Sequence, residues 1–417
     1  MKPEYRSRIA DKILKEKLEA FGAVYIAGPK WCGKTRTAEE QAKSALYLDD
    51  PDKKHKYLQT ADTLPSRLLK GDKPRLIDEW QLAPVLWDAV RFAVDRSSSF
   101  GEYILTGSTT VKKGLTNHTG TGRISRMVMR PMSLFESGES NGEVSLSLLF
   151  AGTKKIDSES NLTIEDIAFV LARGGWPVSI SQSKEIALRQ VYEYVEAIIN
   201  NDISEVDDIV REPTRVRSLM RSLARNVSTQ ANFSTLRADM RAEEEELSED
   251  TIASYISALA RLFVVDDLNA WSPSIRSKDA IRTSPTRHFV DPSIAAAVLR
   301  LDPDGLMDDF ETFGLLFESL AIRDLRVYAE SIDGEVFHYR DSAGLEADAI
   351  IRLKDTRWAG IEVKMGANAV EKAVANLLKL KEKVTKPPSF LMVLTASQYA
   401  YTQKDGVHIV PIGCLKP

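Results

Sequence analysis

The 417-residue chain has only two cysteines, Cys32 and Cys414, almost a chain length apart. That spacing excludes a disulfide framework and leaves no spaced cluster for a structural metal. Long apolar runs are missing too. Hydrophobic residues make up 43%, yet no stretch approaches the roughly 18 consecutive apolar residues of a membrane span. The first twenty residues mix Lys2, Arg6, Arg8, Lys12, Lys15 and Lys17 with acids, without the continuous apolar core of a secretory signal. The chain is therefore expected in the cytoplasm and off the membrane. A strong charge of one sign is also absent. At a net charge of −4, nucleic-acid binding would have to come from a local basic face rather than the whole-molecule field. Length is ample: two or three compact units are expected, each with its own core.

Against these absences stands one specific motif. Gly28-Pro29-Lys30-Trp31-Cys32-Gly33-Lys34-Thr35 meets every requirement of a phosphate-binding loop, a pattern that even residue usage would produce roughly once in 80,000 positions. Its context fits. Ala23-Val24-Tyr25-Ile26-Ala27 reads as a buried parallel strand, and from Arg36 to Lys43 run helix formers without Gly or Pro. Such a loop aims backbone N–H groups at phosphates. Lys34 would then reach the β and γ phosphates of ATP and the Thr35 hydroxyl would ligate Mg, with residues 28–36 lining the nucleotide.

A second strand, Arg75-Leu76-Ile77-Asp78-Glu79, ends in two acids. Asp78 is expected in the magnesium shell and Glu79 at the attacking water. A third, Tyr103-Ile104-Leu105-Thr106, leads into Gly107-Ser108, making Ser108 a candidate sensor of the γ phosphate. Strands at 45–48 and 127–129 complete a five-stranded, doubly wound parallel α/β sheet. The Gly- and Thr-rich residues 114–122 precede Arg123, and an arginine on a mobile loop is what transition-state charge stabilisation uses, in cis or from a neighbouring copy of a homo-oligomer. Arg123 is favoured over Arg126.

The order of these pieces resembles the bacterial and archaeal AAA-type ATPases of largely unknown role. Arg130-Pro131-Met132-Ser133-Leu134, Gly174-Gly175-Trp176-Pro177 and a helix closing on Asn201-Asp202-Ile203 continue the family's pattern. A Ser rather than an Asn at the sensor strand is a departure that bears on hydrolysis more than on binding.

Downstream, Val216, Leu219, Met220, Leu223, Ala224 and Val227 repeat at helical spacing, with Arg217, Arg221 and Arg225 on another face. A second helix follows Ser248, and an Asp266-Asp267 turn then suggests a β wing. This is a winged-helix pattern, which also fits the family. Thr251, Ser254, Ser257 and Arg261 on its solvent face carry one base, and the acids at 243–246 would repel phosphate.

In the last third, Asp348 lies early in one strand and Glu362 and Lys364 share a face of the next. Two carboxylates can hold a magnesium ion and a neighbouring lysine can orient or deprotonate a water. With Glu318 on the preceding helix, this constellation resembles the PD-(D/E)XK nuclease core, although Ala347 stands where the name has Pro; Glu346 is a substitute ligand. A solvated Glu-Lys pair is the plainer alternative. The resemblance implies an AAA-type domain with a helical extension at 1–205, a winged helix at 206–290 and a nuclease-like domain at 291–417. Lys34, Thr35, Asp78 and Glu79 in these strand contexts lead to the expectation of an ATP-dependent switch or motor; the rivals are a Mg-dependent nuclease regulated by ATP and a DNA-binding regulator that senses nucleotide.

Overall fold

A computed structural model of the chain describes residues 5–109, 119–207, 209–242, 247–273 and 284–417. Residues 114–118 of the Gly- and Thr-rich loop and the acids at 243–246 lie outside them. The chain divides into two compact units, Met1–Pro131 with Asp202–Ile209 and Ala258–Phe263, and Met132–Asn201 with Val210–Ser257 and Val264–Pro417.

The first unit is built on five parallel strands, β1 (Ala23–Ala27), β2 (Ser44–Tyr47), β3 (Arg75–Asp78), β4 (Tyr103–Gly107) and β5 (Ile124–Val128), in the order β2-β3-β4-β1-β5. Central β1 and β4 are buried at every position, which is why their sequences run apolar without alternation. Successive side chains of β1 still leave on opposite faces. Ala23, Tyr25 and Ala27 join one core with Leu86, Val90 and Val94 of the Val85–Ser97 helix. Val24 and Ile26 join another with Ile13, Leu14 and Leu18 of the Ile9–Ala20 helix. Helices on both faces of a parallel sheet are the α/β layering the sequence implied.

The second unit carries a seven-stranded mixed sheet. Its strands are β7 (Asp157–Glu159), β8 (Gly334–Arg340), β9 (Glu346–Leu353), β10 (Trp358–Lys364), β11 (Phe390–Thr395), β12 (Tyr399–Thr402) and β13 (His408–Pro411), ordered β7-β12-β13-β11-β10-β9-β8. One edge strand thus comes from far upstream, with Tyr399 paired to Glu159 and Tyr401 to Asp157. The short β6 (Val144–Ser145) pairs in parallel with β14 (Leu415–Lys416).

Three helices, Pro213–Arg225, Phe233–Ala242 and Glu249–Arg261, occupy the middle of the chain; the second was not anticipated. Asn232 accepts the Thr235 N–H at 2.9 Å at its start, and Leu236 and Met240 are fully buried at i, i+4 spacing. Asp266-Asp267 is not a hairpin turn. Both residues lie in a segment that bridges antiparallel to the 286–289 stretch, Val265 to Phe289 and Leu268 to Thr286. Their carboxylates pair with Arg326 and Arg287.

A buried charge network ties several segments of this unit together. Arg323, 2% exposed at its side chain, reaches Asp291 at 2.8 Å and Asp324 at 2.7 Å, both 0% exposed. Gly175 N and Ser293 N also donate to Asp291, and Leu134 N and the Tyr328 hydroxyl to Asp324. The Trp176 indole N–H donates to Ser293 at 3.0 Å. The Pro-Met-Ser-Leu and Gly-Gly-Trp-Pro motifs are therefore anchored to residues 291–324.

Candidate active site

The phosphate loop follows β1 at the carboxyl edge of the sheet, where β3 and β4 also end, since Ala27 is in register with Gly107. In open α/β sheets this is the edge that binds ligands. Gly28 (φ 154°) and Gly33 (φ 101°) take backbone conformations that suit glycine. A Cβ on Gly28 would stand 2.2 Å from the Met129 carbonyl oxygen. Trp31, also at positive φ, is 44% exposed.

Lys34 is 5% exposed, and its ammonium donates to the Pro29 carbonyl at 2.7 Å, so it lies within the loop. Thr35 Oγ1 donates to Asp78 Oδ1 at 2.9 Å, and Thr106 Oγ1 binds the same oxygen. Burial raises the Asp78 pKa above the ordinary 3.8, against the two hydroxyls, which lower it. A buried carboxylate and a threonine hydroxyl converging beside a phosphate loop form a donor set that fits magnesium.

Glu79 sits in the left-handed region, φ 53° and ψ 45°, which costs a non-glycine residue about 1 to 2 kcal/mol. The Gln81 amide donates to Glu79 Oε2. Ser108 Oγ, from the end of β4, donates to the same oxygen at 3.2 Å. The structure thus brings Lys34, Thr35, Asp78, Glu79 and Ser108 to one edge. Thr106 and Gln81 belong with them and went unassigned in the sequence, although Gln81 lies two residues after the second acid, as Thr106 lies two before the candidate sensor.

Two further residues tie down the loop. Arg8, 7% exposed, donates to the Cys32 carbonyl at 2.7 Å and the Arg130 carbonyl at 2.8 Å, clamping the loop to the exit of β5. Lys30 pairs with Asp202 at 2.7 Å.

One sequence assignment needs correction. Arg123 precedes β5, whose Ile124 is in register with Ala23 at the start of β1. It therefore lies at the amino edge of the sheet, roughly 13 Å of strand away from the phosphate loop, and pairs with Asp95 at 2.5 Å. It cannot serve the phosphate site of its own chain. Arg36 turns its guanidinium to Glu39 at 2.7 Å and Glu40 at 3.7 Å, so its backbone N–H, not its side chain, is what the first turn offers phosphate.

In the second unit, the Lys364 ammonium lies 2.8 Å from Asp348 and 2.7 Å from Glu362. The Val363 N–H also donates to Asp348, at 2.7 Å. Glu318, Glu346 and Asp348 line a cleft of about 220 Å³. Burial, then the nearby Asp348 charge, push Glu318 well up and Glu362 to about 7. Burial would lower the Lys364 pKa, but Asp348 and Glu362 overcome it and hold the ammonium charged. A lysine so held does not deprotonate water. Among the described residues no three His, Cys, Asp or Glu side chains are placed to hold a metal ion; this cluster is organised around the ammonium.

Arg217 and Arg261 of the central helices are engaged with protein. Arg217 binds Glu196 through both nitrogens, at 2.6 and 2.7 Å. Arg221 and Arg300 line with them a cleft of about 350 Å³. In the first unit Arg261 donates to the Val206 carbonyl at 2.8 Å and lies 3.4 Å from Asp207. No helix among the described residues is long and apolar enough to cross a membrane.

A parallel sheet carrying this loop and the two acids at its carboxyl edge defines an ATP-binding domain of the P-loop ATPase class. Residues 20–137 match the family described as an AAA domain, so the domain is of the AAA type. Residues 164–305 and 313–415 match two domains of unknown function, DUF8612 and DUF4143. An uncharacterized protein of Haemophilus influenzae is 21% identical over 377 residues, 88% of this chain and 85% of that one. Among solved structures, a Walker-type ATPase of Pyrococcus abyssi is 13% identical and aligns over 72% of this chain and 97% of its own, with a TM-score of 0.43. AMPPCP-bound DnaA from Aquifex aeolicus is 14% identical over 61% and 88%, with a TM-score of 0.29.

Proposed function

We propose that this protein is a Mg-dependent ATPase whose nucleotide state acts as a switch or motor for its second unit. The observation that carries this is the Thr35–Asp78 contact of 2.9 Å beside Lys34 and Glu79. Magnesium, held by Thr35 and Asp78, would neutralise phosphate charge when bound. Lys34 binds the β and γ phosphates, the free N–H groups of the turn from Lys34 to Arg36 receive their oxygens, and Glu79 orients the attacking water and draws its proton. Ser108 steadies Glu79. Retention of radiolabelled ATP by wild type and Lys34→Ala tests the site; equal retention refutes it. Glu79→Gln is expected to bind ATP and turn it over at least about 100-fold more slowly, and wild-type turnover removes Glu79 from the chemistry.

A second reading rests on the Asp348, Glu362 and Lys364 cluster beside Glu318. In it the second unit acts on nucleic acid as a nuclease-like module with a winged helix, under control of ATP. Lys364 then orients phosphate as a fixed cation rather than serving as a base. DNA and RNA incubated with magnesium, with and without ATP, are expected to be cut by wild type and not by Lys364→Ala. Absence of cutting under every condition rejects this reading and leaves the ATPase untouched.

A further inference from the structure

Glu79 receives both of its hydrogen bonds on one oxygen, Oε2, from Gln81 Nε2 and Ser108 Oγ. Oε1 is the oxygen left to meet a water. Gln81 reaches back over Glu79 because of the local backbone: the left-handed residue is followed by a 3₁₀ turn, Trp80–Leu82, in which Leu82 N–H bonds the Glu79 carbonyl at 3.0 Å. Only the NH₂ end of an amide can face a carboxylate, so the orientation of Gln81 is set and its Oε1 points the other way.

What lies on that other side is unusual. Gln81 Oε1, Trp80 Nε1 and Tyr25 OH are all buried, and none has a partner in hydrogen-bond geometry. All three crowd one point, the position a Cβ on Gly107 would occupy, at 2.6, 3.1 and 3.2 Å from it. The Trp80 N–H is near enough to the Tyr25 hydroxyl to oppose the rise in pKa that burial imposes there. One acceptor thus faces two groups able to donate, in space kept open by a glycine at the end of β4. A buried polar group left unmatched is costly, so these three atoms gain by pairing with one another, and such pairing would keep the Gln81 carbonyl end where its amide meets Glu79.

We infer that Gln81 is the positioning residue for Glu79: Tyr25 and Trp80 seat its carbonyl end over Gly107, and its amide end turns Glu79 Oε1 toward the attacking water. Gln81 touches neither nucleotide nor water in this scheme; it acts through Glu79. The inference rests on the hydrolytic reading of Glu79 given above.

The test compares full-length wild type, Gln81→Ala, Gly107→Ala, Glu79→Gln and the Glu79→Gln/Gln81→Ala double variant. Steady-state ATP hydrolysis gives kcat and KM, and equilibrium titration with a fluorescent ATP analogue gives affinity. Displacing a catalytic group by about 1 Å can cost on the order of 100-fold. Gln81→Ala is therefore expected to lower kcat at least about tenfold while affinity stays within about twofold. Gly107→Ala should mimic it, because the new methyl group falls 2.6 Å from Gln81 Oε1. In the Glu79→Gln background, Gln81→Ala should add no further loss. Wild-type kcat in Gln81→Ala, or a full further loss in the double variant, overturns the inference while leaving Glu79 in place. Wild-type kcat in Glu79→Gln instead removes the hydrolytic reading and this inference with it.

Discussion

Replacing Arg323 by Met tests how much the second unit depends on a single buried cation. The guanidinium holds Asp291 at 2.8 Å and Asp324 at 2.7 Å, and both carboxylates are wholly enclosed. In Arg323→Met the acids keep their backbone donors, Gly175, Ser293 and Leu134, but lose their counter-charge. Breaking a buried pair by removing one partner costs about 3 to 5 kcal/mol. A unit of this size shifts by about 2 to 4 °C per kcal/mol, so its melting temperature should fall by roughly 6 to 20 °C, read by calorimetry. Burial already raises the Asp324 pKa, so that carboxyl takes up a proton readily. The deficit relative to wild type should therefore shrink as the pH is lowered toward 5. Adding Asp291→Asn to Arg323→Met should recover part of the loss, as one stranded charge is removed. A fall of under about 2 °C, or a double variant less stable than the single one, would refute the reasoning.

Three further outcomes can be checked. Asp78 has a raised pKa, so it takes up a proton at a higher pH than an ordinary carboxylate; Mg-ATP affinity should drop on acidification from above that ordinary range, while ATP affinity in EDTA does not, and parallel titration curves would contradict this. His288 is 3% exposed and burial lowers its pKa to about 3; the unfolded chain protonates this residue near 6.5 while the fold does not, so stability is present above 6.5 and lost below it, by about 1.4 kcal/mol per pH unit. Urea unfolding of His288→Gln should accordingly show a shallower loss between pH 6.5 and 5 than wild type, and equal slopes would reject it. Glu362, pushed up to about 7, should titrate near neutrality by carbon-detected NMR and move further up in Lys364→Ala, where a downward shift would contradict the stabilising role of the ammonium.

Much of the first unit was legible because its chemistry is local. The loop, its strand and the Asp-Glu pair lie in continuous runs whose backbone does the binding, and the strand apolarity follows from burial on both faces. Arg123 misled because closeness in sequence to a run of glycines says nothing about which edge of the sheet a residue occupies. A residue just before a parallel strand must lie opposite a loop that follows one, and the register of Ile124 with Ala23 shows this. Gln81 was passed over because its function depends on a left-handed turn at Glu79, which no propensity announces at a glutamate. The Phe233–Ala242 helix is faint in the sequence because only Leu236 and Met240 carry its apolar period, directly before a run of acids. In the last third, residue spacing placed Glu362 and Lys364 on one face, but not that the lysine would be locked between two acids. The network around Arg323 joins residues 134, 175, 291 and 324, distances at which pattern is silent.

The upstream origin of β7 has a consequence for how the chain is made. Its partner β12 leaves the ribosome about 240 residues later, a delay of roughly 12 to 48 s at ordinary elongation rates. The parallel sheet of the first unit is complete by Val128 and can form early. Throughout the interval residues 157–159 have no strand to pair with, and the charges of Asp157 and Glu159 discourage the segment from pairing with another nascent chain.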